Sequence, residues 1–321
     1  MMQASNDIAI AADRAAARIA GVIRKTPLLR APVFSDATGA EVFFKLENQQ
    51  HTGSFKLRGA ANCLMSLSEA QRDRGCVAAS SGNHGAAVAY AMRALSTSGV
   101  IYVPQQTSSA KVDAIRRYGG DVRFFGSDGL DTEQHAREYA AEHAMYYISP
   151  YNDAAVIAGQ GTCGIEIAEQ LADIDAVFVA VGGGGLISGV ASVLKSHSQN
   201  VRVFGCQPAA SAVMAKSVAA GHILDLPSGQ TLSDGTAGGI EAGAITFELC
   251  RELVDEFVLL GEPQIAAAMR QYMQAEQHQI EGAAGVAIAG LLSRAESLRG
   301  KKVVAIVCGG NISQQTLDSV L

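Results

Sequence analysis

Two kinds of apolar pattern alternate along the chain. Short apolar runs, rich in Val, Ile and Phe, stand between longer stretches whose apolar residues recur at helical steps. The runs are EVFFKLE (41–47), CVAAS (76–80), GVIYVP (99–104), DVRFFG (121–126), DAVFVAVG (175–182), VRVFGCQ (201–207) and KKVVAIVCGG (301–310). Their length and β-branched content predict buried strands. The stretches between them predict helices: FKLRGAANCLMSLSEAQ (55–71), HGAAVAYAMRAL (84–95), SSAKVDAIRRYG (108–119) and a segment over 131–143. An amphipathic helix is expected before them, over the first 21 residues. SSAKVDAIRRYG opens on serines, which favour an N-cap, and closes at Gly119–Gly120, where a helix is expected to stop. Strand and helix in alternation predict an α/β fold with two open parallel sheets. We place a small domain at 72–148 and a large domain from 1–71 together with 149–321.

In such sheets ligands bind beyond the carboxyl ends of the strands. Three groups of small residues fall at such ends: Ser80–His84, Gly182–Gly185 and Gly309–Gly310. That coincidence points to one shared site. VGGGGLISGV (181–190) follows a strand and opens a helix, so its backbone amides can converge on a phosphate. A flexible turn is the plainer explanation, but consecutive glycines cost backbone entropy that a mere turn does not require. SSGNHGAAV (80–88) would by default be ordinary N-capping by Ser80, Ser81 and Asn83. The same hydroxyls and amide at a helix start also suit a carboxylate. His84 alone is as readily a satisfied core histidine as a ligand. Lys56, in GSFKLRGA (53–60), would ordinarily be solvated. Its small and apolar neighbours, with a phosphate cradle and a carboxylate cradle elsewhere in the chain, suit instead a lysine that forms a Schiff base with a phosphorylated ring cofactor.

Composition narrows the classes. The chain is 48% apolar and 17% charged, enough for two packed lobes in 321 residues. The net charge is −6 with no basic run, which argues against nucleic acid and anionic membranes as partners. No apolar run reaches the ~18 residues of a membrane helix, and the acid-containing N-terminus does not read as a signal peptide. Six cysteines show no CxxC pair, so a disulfide framework or structural zinc is not expected and a cytoplasmic location is. G-x-G-x-x-G followed by an acid ~20 residues on is missing, which argues against a nicotinamide dehydrogenase.

KLENQQHTGSFKLRGA (45–60), SSGNHG (80–85), PYNDAAVIAGQGT (150–162), GGGGLISG (182–189) and CGGN (308–311) occur in this order, preceded by Thr26–Pro27–Leu28. Together they resemble the fold-type II pyridoxal 5'-phosphate enzymes of the serine/threonine dehydratase and serine racemase group, whose fold is tryptophan synthase β-like. The resemblance implies that Lys56 holds pyridoxal 5'-phosphate, with Phe55 against the ring and Asn83 on the ring 3-hydroxyl. It implies that Gly182, Gly183, Gly184, Gly185 and Leu186 bind the phosphate. Glu281, in IEGAAG, matches a glutamate near the ring. Cys308 falls where relatives usually carry a serine facing the pyridine nitrogen. Ser80, Ser81, Asn83 and His84 would surround the substrate, and Gly238 and Gly239 would line its side-chain pocket beside Ala237. Lys56 and Ser81 are the implied catalytic pair, since Ser81 sits where racemising relatives keep a proton donor opposite the lysine.

The activity so implied is β-elimination of a β-hydroxy amino acid such as L-threonine or L-serine, giving a 2-oxo acid and ammonia. Amino-acid racemisation is the alternative, as is dehydration of a bulkier 3-hydroxy amino acid; a third reading is a ligand-binding protein without turnover. A thiol at Cys308 is a weak neutral donor, which favours early loss of the β-hydroxyl. Some relatives bind a divalent cation after a G-x-E-P stretch. Here it reads GCQP, with Gln207, and Val213 falls near the second acid, so no metal is expected. A relative's carboxylate-binding arginine aligns near Thr132, which predicts an uncharged, roomy side-chain pocket. A homodimer is the expected assembly.

Overall fold

The computed structural model describes residues 2–321. Ten strands form two sheets, and the strands that matter most for a site lie side by side within them. The strands are β1 (Leu28–Arg30), β2 (Glu41–Leu46), β3 (Cys76–Ala79), β4 (Gly99–Val103), β5 (Asp121–Phe124), β6 (Tyr146–Tyr147), β7 (Ala176–Ala180), β8 (Arg202–Pro208), β9 (Glu256–Leu260) and β10 (Lys302–Val307). The six-stranded sheet has the order β1-β2-β10-β7-β8-β9, and the four-stranded sheet β5-β4-β3-β6. All pairings are parallel except β1 with β2, which run antiparallel at one edge.

The sheet order carries the motifs together. β2, β10 and β7 are neighbours, with Val307 opposite Leu46 and Val303 opposite Ala176. Their carboxyl ends deliver the 52–56 loop, the 308–311 loop and the glycine loop to one edge of the sheet. In the second sheet β3 lies between β4 and β6, so the Ser80–His84 turn and the Pro150–Tyr151 segment also leave on one side. The 52–55 and 308–311 loops are stitched by backbone bonds: Phe55 N to Cys308 O at 3.0 Å and Gly310 N to Gly53 O at 2.9 Å.

One apolar cluster fills the six-stranded layer, with Val42, Phe44, Val177, Phe178, Phe204, Ile288 and Val304 in it. A second lies under the four-stranded sheet, and takes Leu57, Ala60, Ala61 and Leu64 from the Lys56–Ser66 helix. That helix therefore sits between the layers. It crosses the Ala154–Gln170 helix so closely that a Cβ at Gly59 would collide with Gln160, and one at Gly159 with the Arg58 carbonyl.

A wholly buried ionic network holds the same helix. Arg58 donates to both oxygens of Glu47 (2.7 and 2.8 Å) and both oxygens of Glu166 (2.7 and 2.8 Å). Lys45 joins Glu166 at 2.6 Å. Burial works against the Glu47 charge, but Arg58 overcomes it and holds the carboxyl below its usual range.

Most sequence-predicted elements are present within a residue or two. The 55–71 stretch is the exception. It is two helices, Lys56–Ser66 and Glu69–Arg74, because Ser68 and Gln71 form a capping box that starts the second. Ser108 stands at the N-cap of the Ser109–Arg117 helix, yet its side chain makes no capping bond.

Candidate active site

The loops at these strand ends line one cavity of about 670 Å³. Lys56, Phe55, Ser80, Ser81, Asn83, His84, Gly182–Gly185, Leu186, Glu281 and Cys308 all reach its wall. Gly238 and Gly239 do not. They are exposed, outside the lining, and a Cβ on either would meet nothing within 4 Å. Asp234, Gly235, Thr236 and Ala237 line the cavity in their place. The Asp234–Thr236 turn carries the chain past the cavity before Gly238 is reached, an offset that alignment by residue type does not reveal.

Lys56 opens its helix beside the cavity, and its Nζ donates to the Pro150 carbonyl at 2.9 Å. Burial lowers its pKa to about 8, against the opposing pull of Glu281 and Cys308. An amine so placed is neutral often enough to act as nucleophile or base near neutral pH. The Phe55 ring lies with its centroid 5.3 Å from the amine.

The glycine loop supplies the complementary feature. Gly184 has φ of +86° and stands at the N-cap of the Gly185–His197 helix. Among the described residues, no acceptor of the chain takes the amides of Gly182, Gly183, Gly184 or Gly185. Unclaimed amides at the start of a long helix form a cradle for a dianion. Tyr151 packs against the loop so tightly that a Cβ at Gly183 would strike its ring. Its hydroxyl accepts from Glu241 N at 2.9 Å.

The Ser80–His84 turn is not side-chain capping. Gly82 is the N-cap of the Asn83–Ala94 helix, and no side chain caps it. The Ser80 hydroxyl accepts from Gly82 N at 3.2 Å, and Ser81 lies half-buried on the wall. The hydroxyls and the first helical amides are thus available to a small carboxylate. His84 is less so. Its Nε2 faces the Ile148 carbonyl at 2.9 Å, and burial, with Lys56 nearby, lowers its pKa to about 3. It brings no positive charge to the wall.

At the cavity floor Glu281 accepts from Asn83 Nδ2, at 3.1 and 2.8 Å to its two oxygens. Burial raises its pKa to about 7, with the Asn83 bond opposing. The Cys308 thiol lies 3.8 Å from Glu281 Oε1, and burial pushes it well above its ordinary range, so it stays neutral. Gln207 is buried and uses both ends of its amide on backbone: it donates to Val181 O at 3.1 Å and accepts from Ala215 N at 2.7 Å.

The rim of the cavity carries charge. Lys111 and Asp234 line the opening and face each other at 3.6 Å, and Arg117 lines it too. Thr132 is buried on the wall and donates to the Phe125 and Asp128 carbonyls at 2.8 and 2.6 Å. Residue types could not show which charges of the two layers face one another. Pro150, Tyr151, Asn311 and the Asp234–Thr236 turn were also not assigned roles from sequence, although each lies in a stretch that drew attention there; Ala237 does line the cavity as expected.

Amine, anion cradle, carboxylate turn and neutral thiol in one cavity fit pyridoxal phosphate: an aldehyde, a phosphate and a ring with one nitrogen. Comparison with known proteins agrees. Residues 19–309 match the family described as pyridoxal-phosphate dependent enzyme. A putative threonine dehydratase of Sinorhizobium fredii is 39% identical over 301 residues, 94% of this chain and 91% of that one. The catabolic L-threonine dehydratase of Escherichia coli K12 is 39% identical over 324 residues, covering 99% and 98%. Among solved structures, the processed form of threonine deaminase isoform 2 from Solanum lycopersicum superposes with a TM-score of 0.94 at 37% identity, covering 98% of this chain and 86% of that one. Maize serine racemase does so at 0.91 and 32%, covering 97% and 95%.

Proposed function

This chain belongs to the pyridoxal-phosphate dependent enzymes, and from that premise we propose that it is an ammonia-lyase. Its substrate is a β-hydroxy amino acid such as L-threonine or L-serine, and its products are a 2-oxo acid and ammonia. The dehydratases and deaminase it resembles over nearly its whole length support this. The observation that carries it is the Lys56 amine sharing a cavity with the unclaimed amides of Gly182–Gly185.

When bound, the cofactor supplies an electron sink for the pair left at the substrate Cα. Lys56 would hold its aldehyde, Gly182–Leu186 its phosphate, and Asn83 its ring hydroxyl. Phe55 would pack against the ring, and the neutral Cys308 thiol would face its nitrogen. Ser80, Ser81 and the first amides of the Asn83–Ala94 helix would fix the substrate carboxylate, aiming the Cα–H at Lys56. The Lys56 amine, with its pKa near 8 in the free chain, takes that proton and can return it to the departing hydroxyl. Water lost at the β-carbon is regained when the imine hydrolyses, so the net products are the 2-oxo acid and ammonium.

A second reading is racemisation, with Ser81 returning a proton to the face opposite Lys56; the likeness to serine racemase structures supports it. Chiral analysis of unreacted substrate separates the two, because a lyase leaves the remaining L-enantiomer unchanged. Borohydride reduction of the cofactor-loaded protein followed by peptide mapping tests the assignment of Lys56: the pyridoxyl label belongs on that residue and on no other lysine.

For assembly and location we propose a cytoplasmic homodimer, with 72–148 as a small domain against 1–71 and 149–321. The six cysteines are all unpaired and buried, in keeping with a reducing compartment. Light scattering on the purified protein tests the stoichiometry. No helix among the described residues is long and apolar enough to cross a membrane.

A further inference from the structure

We propose that Asn311 is a positioning residue: it fixes which end of the Asn83 amide faces the cofactor site. The proposal rests on the reading of the cavity as a pyridoxal phosphate site.

An asparagine side chain offers an oxygen that accepts and a nitrogen that donates, and the two ends differ little in shape. Which end faces a ligand must be decided by its other neighbours. For Asn83 the decision starts at a backbone carbonyl. Thr52 O can only accept, and Asn311 Nδ2 lies 2.9 Å from it. That contact turns the Asn311 nitrogen toward Thr52. The same nitrogen carries a second hydrogen, which goes to Asn83 Oδ1 at 2.7 Å. The Asn83 oxygen is thereby taken, and its nitrogen is left facing Glu281 at 2.8 and 3.1 Å on the cavity floor. A reversed Asn83 would put its oxygen against the Glu281 carboxylate, acceptor facing acceptor, and its nitrogen against the Asn311 nitrogen, donor facing donor. Polarity thus passes from Thr52 through Asn311 to Asn83.

The surrounding backbone holds Asn311 in place. Gly53 has φ of +72°, and a Cβ there would stand 2.6 Å from Asn311 Oδ1. Gly310 N donates to Gly53 O at 2.9 Å, and Ser54 bridges Gly309. The loop that leads into Lys56 and the loop that ends in Asn311 are therefore one unit. A donor from Asn83 stabilises an anionic ring oxygen on the cofactor; an oxygen in its place would repel that anion and favour the protonated ring hydroxyl.

The test compares the parent chain with N311D and N311A, each titrated with pyridoxal phosphate and followed by absorbance of the bound cofactor and by thermal unfolding. In N311D a carboxylate replaces the donor, so it competes with Glu281 for the Asn83 nitrogen and draws that donor away from the cavity. We expect the bound cofactor to shift from its long-wavelength band toward the near ultraviolet, and affinity to fall about tenfold, the effect of one charge-assisted hydrogen bond. N311A, which only removes the constraint, should fall between parent and N311D, and it carries the test if N311D does not fold. Unchanged spectra of the bound cofactor in whichever variants fold would overturn the proposal, even if affinity or melting temperature dropped, since a merely structural role predicts that pattern. If the parent itself shows no Lys56-dependent cofactor band, it is the pyridoxal phosphate reading that fails.

Discussion

Lys56 shows how much a single residue's setting can say. Its neighbours in sequence are small or apolar, and the fold turns that into an amine at a cavity wall with a pKa near 8. A rate follows from the sign of that shift. Capture of the aldehyde needs the neutral amine, whose share falls about tenfold per pH unit below the pKa. Stopped-flow binding of pyridoxal phosphate to the free chain should therefore quicken with pH up to about 8 and then level off. A rise continuing to the range of an ordinary exposed lysine would contradict the assigned setting. Glu281 raises the Lys56 pKa, so E281Q should move the midpoint down. Lys56→Ala should cut 2-oxo acid release by about 10³-fold, the scale of a lost general base. The tetraglycine and Ser80–Asn83 were legible from sequence because they stand at strand ends, and Lys56 because its neighbours are small or apolar. The engagement of His84 with Ile148, the Asn311–Asn83 bond and the displacement of Gly238 and Gly239 from the wall were not. They depend on which atoms of distant segments meet, and no local pattern encodes that.

At the scale of elements, the Lys56–Ser66 helix is held from behind by the Arg58 network and by close crossing at Gly59 and Gly159. Removing one partner of a buried ion pair leaves its charges uncompensated, at a cost of about 3–5 kcal/mol. Arg58→Met should lose about that much in denaturant unfolding, because Glu47 and Glu166 would both remain buried. A loss under about 1 kcal/mol, the range of exposed pairs, would mean that the network relaxes or admits water. The glycine loop makes a different prediction. Gly183→Ala must displace the Tyr151 ring, so pyridoxal phosphate affinity should drop by about tenfold or more, roughly one to two hydrogen bonds' worth. Equilibrium titration checks this, and stability should change less than affinity does. The strands that sequence reading missed were β1, β6 and β9, of three, two and five residues, and it named no helix over Ala154–Gln170, Glu262–Glu276 or Gly282–Ser293. Two or three residues carry too few positions for a period to register, so β1 and β6 owe their existence to a neighbouring strand. The break before Ser68 was missed for the opposite reason, since the apolar period continues through a residue whose capping bonds end one helix and start another.

At the scale of the molecule, parallel topology accounts for the site. Loops from residues 52–56, 308–311 and 182–186 meet because β2, β10 and β7 are parallel neighbours, and the 80–84 turn joins them from the end of β3 in the other sheet; the gathering of glycines at strand ends followed from strand–helix alternation. What did not follow is how the two layers are tied to each other. Lys111–Asp234 and Arg137–Glu241, the latter at 2.7 Å, both join helices of the four-stranded layer to the 221–244 segment. These are partly exposed pairs, so each should contribute no more than about 1 kcal/mol. A double-mutant cycle on Arg137 and Glu241 should give a coupling of that size, with KM changing by less than about fivefold and kcat nearly constant. A large kcat effect would place this pair in the chemistry. The central claim is simpler and is tested by one assay. Purified protein loaded with pyridoxal phosphate is given L-threonine or L-serine, and 2-oxo acid and ammonia are measured together. Equal amounts of the two products, lost in Lys56→Ala, are the predicted result. A cofactor-loaded protein that releases neither product from either amino acid would contradict the account.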